Sequence, residues 1–245
     1  MQFHLRINGR RADISAAPPV ELNDWLTQAA QAVLREADPY ILASYLFDTD
    51  QEAARKEVKN IIVTAPEKSE LQARAYNLYG LILIEDKKFD EAMETFNKLL
   101  SINRKASYAF LNLGNVLAEQ GQYAEASEHY RKASELNPKD ARFYFNLGNV
   151  LADQGQHAEA SEHYRKAIEL DPKNTDAYYN LGFVLERVVE SLRHAGKTHE
   201  AEDKLAEACR IFYQISIWAP DNQNYRTRLH RVNSLLPSGK KCIQE

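Results

Sequence analysis

The feature that most restricts this chain is a repeat. Residues 107–140, SYAFLNLGNVLAEQGQYAEASEHYRKASELNPKD, and 141–174, ARFYFNLGNVLADQGQHAEASEHYRKAIELDPKN, agree at 24 of 34 positions without a gap. The period extends outward, with Gly80, Gly114, Gly148 and Gly182 each 34 residues apart. Ala92, Ala126 and Ala160 keep the same interval, as do Phe96, Tyr130 and Tyr164. A chain that repeats one unit at this period stacks copies of a single supersecondary element, because no copy can bury its apolar face alone.

Each unit reads as two helices. In 141–174, Tyr144, Leu147, Gly148 and Leu151 fall at i, i+3, i+4 and i+7, one helical face. Gln154-Gly155-Gln156 interrupts the pattern, and a second face follows in Ala160, Tyr164, Ala167 and Ile168. Pro172 ends it, since proline lacks an N–H and its ring clashes with the preceding turn. Gly148 and Ala160 let the two helices approach closely, and Tyr164 fills the space beyond.

The Leu-Gly pair, the distant Ala, the aromatic four residues later, a further Ala and the closing Pro resemble the tetratricopeptide repeat (TPR). The resemblance covers 73–187 and returns near Pro220. The first unit departs in detail: Tyr79 precedes its glycine, Leu99 replaces the second Ala, and Arg104 stands where Pro would close it. The implied fold class is all-α, a TPR right-handed α-solenoid with a short N-terminal β-element and a C-terminal capping helix.

Four segments are expected. Residues 1–16 read as a β-hairpin turning at Asn8-Gly9; a lone hairpin is marginal in water, which leaves a larger β-element open. Residues 17–72 hold N-terminal helices and a degenerate repeat, in which Ala54, Val58 and Ile61 keep the repeat's intervals to Pro66. Residues 73–220 hold four TPR units. Residues 221–245 form a capping helix and tail, with Tyr225, Leu229, Val232 and Leu236 toward the last repeat.

The fourth unit carries an insertion. Gly148 to Gly155 is seven residues, whereas Gly182 to Gly196 is fourteen, and the closing set Ala208, Phe212, Ile215 and Pro220 is delayed by seven again. Both arms are therefore longer by about two turns, or about 10 Å. Val188, Val189, Leu192, Leu205 and Ala208 continue the apolar seam. They either seal against the capping helix or offer a contact surface for self-association or a second partner.

Composition excludes several functions. With 31 Lys+Arg against 35 Asp+Glu, the net charge of -4 lacks the basic excess of a nucleic-acid binder. No apolar run approaches the roughly 20 residues a membrane helix needs, so direct membrane insertion is not expected. Cys209 and Cys242 make no disulfide framework and have no metal-ligand spacing. A cytoplasmic location is the default; a periplasmic or exported one stays open. Only Gly9 and Gly239 lie outside the packing and hairpin roles, so no phosphate-cradling loop, and no cofactor, is expected. His194 and His199, with Glu190 and Glu200 nearby, lack a third metal ligand at proper spacing. No nucleophile elbow or zinc-protease motif is present, so catalytic residues are not assigned.

The functional expectation rests on the groove. By resemblance, the first helix of each unit lines a concave surface, with Asn112, Asn146 and Asn180 exposed on it and Asn115 and Asn149 beside them. Asparagine is poor in helix interiors, and its amide offers a peptide backbone both donor and acceptor. In TPR superhelices such a ladder holds an extended peptide; support of helix packing is the competing reading. Tyr108, Phe145, Tyr179 and Phe183 would add aromatic walls, and Arg142 a cation. The family's clamp for acidic C-terminal tails is not expected, because of its positions (Asn77, Leu81, Asn112, Arg142, Asn146) only Asn112 and Arg142 fit. The favoured function is a noncatalytic scaffold binding a peptide or protein segment. The alternative is the regulatory or targeting portion of a larger enzyme or membrane-anchored assembly.

Overall fold

The structure, a computed structural model, describes residues 2–7, 10–15 and 22–242, with side chains from Thr27 onward. Strands β1 (Gln2–Ile7) and β2 (Arg10–Ser15) pair antiparallel with Phe3 opposite Ile14. The turn expected at Asn8-Gly9 lies outside the described residues. Helices follow: α1 (Leu22–Ala37), α2 (Pro39–Thr49), α3 (Gln51–Thr64), α4 (Glu70–Glu85), α5 (Phe89–Ile102), α6 (Ser107–Glu119), α7 (Tyr123–Leu136), α8 (Ala141–Asp153), α9 (His157–Leu170), α10 (Thr175–His194), α11 (Thr198–Trp218) and α12 (Gln223–Ser234). None of the described helices is long and apolar enough to cross a membrane. The chain divides into two compact units, Met1–Ala109 and Phe110–Glu245.

In the first unit, α2 and α3 form the degenerate hairpin. Its core is Leu42, Ala43, Leu46, Ala54, Val58 and Ile61, all buried. Leu42 and Val58 occupy the places that Gly80 and Phe96 hold in the next hairpin, so a small–large pair has become two mid-sized side chains of one core cluster. Polar contacts tie the helices together at the periphery. Arg35 of α1 reaches Glu57 at 2.6 Å, and Arg55 of α3 makes two hydrogen bonds to Asp86, at 2.6 and 3.0 Å. The Arg55 hydrogen bond holds the Asp86 carboxyl below its ordinary range.

In the second unit, the repeat glycines explain the hairpin spacing. A Cβ at Gly148 would lie 2.7 Å from the Tyr164 ring, and one at Gly182 would lie 2.6 Å from Phe212. Only hydrogen fits there, and the ring of the second helix then packs flush on the backbone of the first. The hairpins turn through a residue at positive φ: Gly121, Gly155 and Gly196 in this unit, and Lys87 at φ 60 in the first. At each turn the next N–H reaches back to close the helix end, as in Gln156 to the Leu151 carbonyl at 2.8 Å.

Helices α10 and α11 have 20 and 21 residues, against 13 and 14 in α8 and α9. Each arm of this hairpin is seven residues longer, and the added residues are helical. Of the expected seam, Val189, Leu205 and Ala208 are buried, while Val188 and Leu192 are half-buried, so it is sealed in part.

The end of the chain corrects one expectation. Cys209 and Cys242 are joined in a disulfide, with Cα atoms 6.0 Å apart. They are 33 residues apart in sequence, and α12 doubles back along α11 to bring them together. The tail is held further by Lys240, which pairs with Asp203 at 2.9 Å and Glu202 at 3.2 Å. Buried Asn233 accepts the Cys242 backbone N–H at 3.0 Å.

Candidate peptide-binding face

The first helix of each hairpin in the second unit places side chains at fixed offsets from the residue closing the preceding unit. Eight residues after Arg104, Pro138 and Pro172 stand Asn112, Asn146 and Asn180; eleven after stand Asn115, Asn149 and Phe183. Proline or its substitute sets where the helix begins, and the repeat period then brings each offset to the same face. Local caps fix those starts. Asp140 accepts the Arg142 N–H at 3.0 Å, and Asn174 accepts that of Ala177 at 2.9 Å.

These asparagines bond to one another. Asn146 donates its amide to Asn115 Oδ1 at 2.9 Å, and Tyr130 donates its hydroxyl to the same oxygen at 2.9 Å. One repeat later Asn180 donates to Asn149 Oδ1 at 3.0 Å, and Tyr164 donates to it at 2.8 Å. Each oxygen therefore collects the hydroxyl of its own repeat and the amide of the next. Burial drives the hydroxyl pKa of Tyr130 and Tyr164 far above the ordinary tyrosine value, so both remain neutral donors.

The sequence predicts exposed amides, and this needs correction. Asn112 is only 8% exposed. Asn146 and Asn180 are half-buried, and each spends an amide hydrogen on its neighbour. Among the described residues, Asn146 and Asn180 keep their carbonyl oxygens, and Asn115 and Asn149 their amide nitrogens, without a hydrogen bond to protein. The ladder is structural on one side and unsatisfied on the other.

The remaining candidates divide. Arg142 is bound by Asp140 through Nε at 3.0 and 3.2 Å and through Nη2 at 2.6 Å, so its charge is spent at the helix start. Phe145 lies 6.0 Å from the Tyr164 ring. Tyr179 packs between Phe212 at 6.1 Å and Tyr225 at 5.5 Å, which makes it a joint between helices more than a groove wall. Tyr108 belongs to the first unit, where it packs on the cluster of Ala73, Leu99, Ala106 and Ala109. Phe183 carries the guanidinium carbons of Arg187 and Arg228, each 5.2 Å from its ring centroid.

Arg228 and Arg231 lie in the stretch from Asn222 to Lys241, which has five Lys/Arg and no acids and which the sequence reads as a solvated capping helix in preference to a contact for an acidic partner. They stand eight and eleven residues after Pro220, the offsets of the ladder. The lengthened hairpin hides this register until it is counted from the proline. Around them, Glu186 is buried and takes Arg228 Nη1 at 3.2 Å and Arg231 Nε at 3.7 Å.

Comparison with known proteins agrees with this repeat geometry. A family profile described as "TPR repeat" matches residues 114–155 and 148–188, and one described as "Tetratricopeptide repeat" matches 73–105. The structure of YrrB, described as a TPR protein with an unusual peptide-binding site, is 26% identical with a TM-score of 0.55, covering 84% of this chain and 96% of that one. MamA from Desulfovibrio magneticus RS-1 is 21% identical with a TM-score of 0.54, covering 71% of this chain and 95% of that one. A further MamA structure is 19% identical with a TM-score of 0.55, covering 75% and 97%. No curated protein matches the chain in sequence. With three gap-free hairpins whose glycines seat the aromatic of the following helix, the chain is a protein of tetratricopeptide repeats, matched over residues 73–105 and 114–188.

Proposed function

We propose that the chain is a noncatalytic scaffold that binds an extended peptide or protein segment along the face of α6, α8 and α10. One observation carries this reading: the ladder amides satisfy the fold with one atom each and hold the other out. Asn146 and Asn180 present acceptors, and Asn115 and Asn149 present donors. An extended backbone offers donors and acceptors in alternation, so it can meet both kinds without regard to its side chains. Such a surface would give register and modest affinity; sequence preference would come from the side chains beside it. The description of YrrB as a peptide-binding TPR protein supports the reading.

The test is a selection of phage-displayed decapeptides on the full chain, followed by binding measurements on N146A and N180A. Each variant removes one outward acceptor and one amide donor, while Tyr164 or Tyr130 keeps its own partner. Selected peptides should bind each variant about tenfold more weakly, at about 1.4 kcal/mol per lost rung. Unchanged affinity in folded variants would reject the ladder as the binding device.

A further inference from the structure

The ladder does not stop at α10; it changes chemistry. In the two preceding steps, the residue at the eight-offset donates to the residue at the eleven-offset of the helix before it: Asn146 to Asn115, then Asn180 to Asn149. At the third step the same two positions are Arg228 and Phe183, and the guanidinium lies 5.2 Å from the ring centroid. An amide pair has been replaced by a cation over an aromatic face. Arg231, at the next offset of α12, has a side chain 56% exposed, and Arg187 approaches the same ring with a side chain 47% exposed.

We infer that this third step is an anchor for a carboxylate side chain of the bound segment, so that the ligand is an acidic peptide with its acidic residue toward α12. The inference rests on the peptide-binding reading above and adds its specificity. Charge decides the occupant. Among the described residues, three guanidiniums, of Arg187, Arg228 and Arg231, pair with two carboxylates, Glu186 and Glu190, which leaves one positive charge in excess. Glu186 engages Arg228 through Nη1 alone, at 3.2 and 3.3 Å. Arg231 meets that carboxylate only at 3.7 Å, a long contact that leaves its donors for a ligand. Phe183 attracts two of the cations, each guanidinium carbon lying 5.2 Å from its ring centroid. Guanidinium groups so held favour a planar carboxylate, which can accept two parallel hydrogen bonds.

Register follows from geometry. Neighbouring packed helices lie about 8–10 Å apart, and an extended chain advances about 3.3 Å per residue. The acidic residue should therefore fall about three residues beyond the one whose backbone meets Asn180.

The experiment uses the decapeptides selected on the full chain under non-oxidising-agent, non-reducing buffer. Among them, Asp or Glu should be enriched at one position, and a Glu→Gln peptide should bind about tenfold more weakly. Added salt should shrink that difference. On R187Q/R231Q the Glu and Gln peptides should bind within about twofold of each other. Because R228Q alone would leave buried Glu186 without its main partner, E186Q/R228Q serves as the matched control: Arg187 and Arg231 still exceed Glu190 by one charge, so it should keep the preference, and its loss there would overturn the charge argument. Equal binding of Glu and Gln peptides to the wild type overturns the anchor while leaving the ladder standing. A wild type that selects no peptide at all overturns the reading beneath. Tighter binding of a single-stranded oligonucleotide than of the acidic peptides would assign the cations to phosphate and overturn the proposal too.

Discussion

Asn146 reaches back 31 residues to donate its amide to Asn115 Oδ1 at 2.9 Å, the oxygen that Tyr130 also binds. Asn180 and Asn149 repeat the relationship with Tyr164. The ladder asparagines therefore connect the repeats, whatever they bind, and variants at the two offsets should separate the proposed binding role from this one.

The inner asparagines should matter more for stability. Tyr164 is 2% exposed, and Asn149 is the partner of its hydroxyl. N149A takes away the acceptor of that buried hydroxyl, leaving only Asn180 beside it, which costs about 1–3 kcal/mol; N180A leaves the Tyr164–Asn149 bond in place, costing about 0.5–1.5 kcal/mol. Urea denaturation of both variants and of Y164F/N149A checks this. The double variant should recover part of the N149A loss, since no polar group is then stranded. Equal losses for N149A and N180A would refute the assignment.

The first TPR hairpin carries a removable strain. Lys87 holds φ 60 at the turn where the later hairpins use Gly121, Gly155 and Gly196. A side chain in the left-handed region costs about 1–2 kcal/mol, while glycine loses about 0.5–1 kcal/mol more in chain entropy. Lys87→Gly should therefore stabilise the protein by about 0.5–1 kcal/mol, readable as a higher urea midpoint with an unchanged slope. A lower midpoint would show that the side chain contributes more than its backbone costs.

The repeated histidines give a pH dependence. His129 lies 6.0 Å from Phe110, and His163 lies 6.3 Å from Tyr144. Desolvation lowers both pKa values, against the opposing pull of Glu125 and Glu128 on one and Glu159 and Glu162 on the other. A histidine with a depressed folded pKa binds protons better when unfolded. Its contribution is complete above the unfolded value of about 6.5 and is lost as pH falls toward the folded value. Stability should drop between about pH 7.5 and pH 5.5, and H129Q/H163Q should flatten part of that drop. An identical pH profile in the double variant would count against the two histidines.

The parts of this fold that recur were legible, and the parts that occur once were not. Gly148 and Tyr164 announce their contact because the pair appears at the same spacing in neighbouring units, so periodicity carries the information. Periodicity does not say which atom of an amide is used, which is why Asn146 and Asn180 read as free when each donates to the previous rung. Arg228 was obscured for a different reason: the seven-residue lengthening of each arm displaces it from the 34-residue grid, and the residue type changes at the same step. The Cys209–Cys242 bond depends on the path of α12, which no local pattern encodes.

The long hairpin invites a deletion that tests how it is integrated. Removing Glu186–Leu192 with Ala201–Glu207 restores the glycine spacing of the ordinary repeat, so sequence arithmetic alone predicts an undisturbed fold. The structure predicts otherwise. The deletion takes away Glu186, which holds Arg228 and Arg231, and Glu202 and Asp203, which hold Lys240. It also removes buried Val189 and Leu205, each worth about 1.5–3 kcal/mol of apolar burial. Gly182 on Phe212 and Tyr179 on Tyr225 are untouched, so the shortened hairpin and the first turn of α12 should persist. The end of α12 and the tail should loosen. Hydrogen exchange is the appropriate measurement, because it reports opening segment by segment. Amides around Val232 to Leu236 should exchange much faster in the deleted protein, while those of α8 and α9 keep their protection. Unchanged protection at Val232 would show that the capping helix is held by the ordinary repeat alone, and that the added turns are dispensable to it.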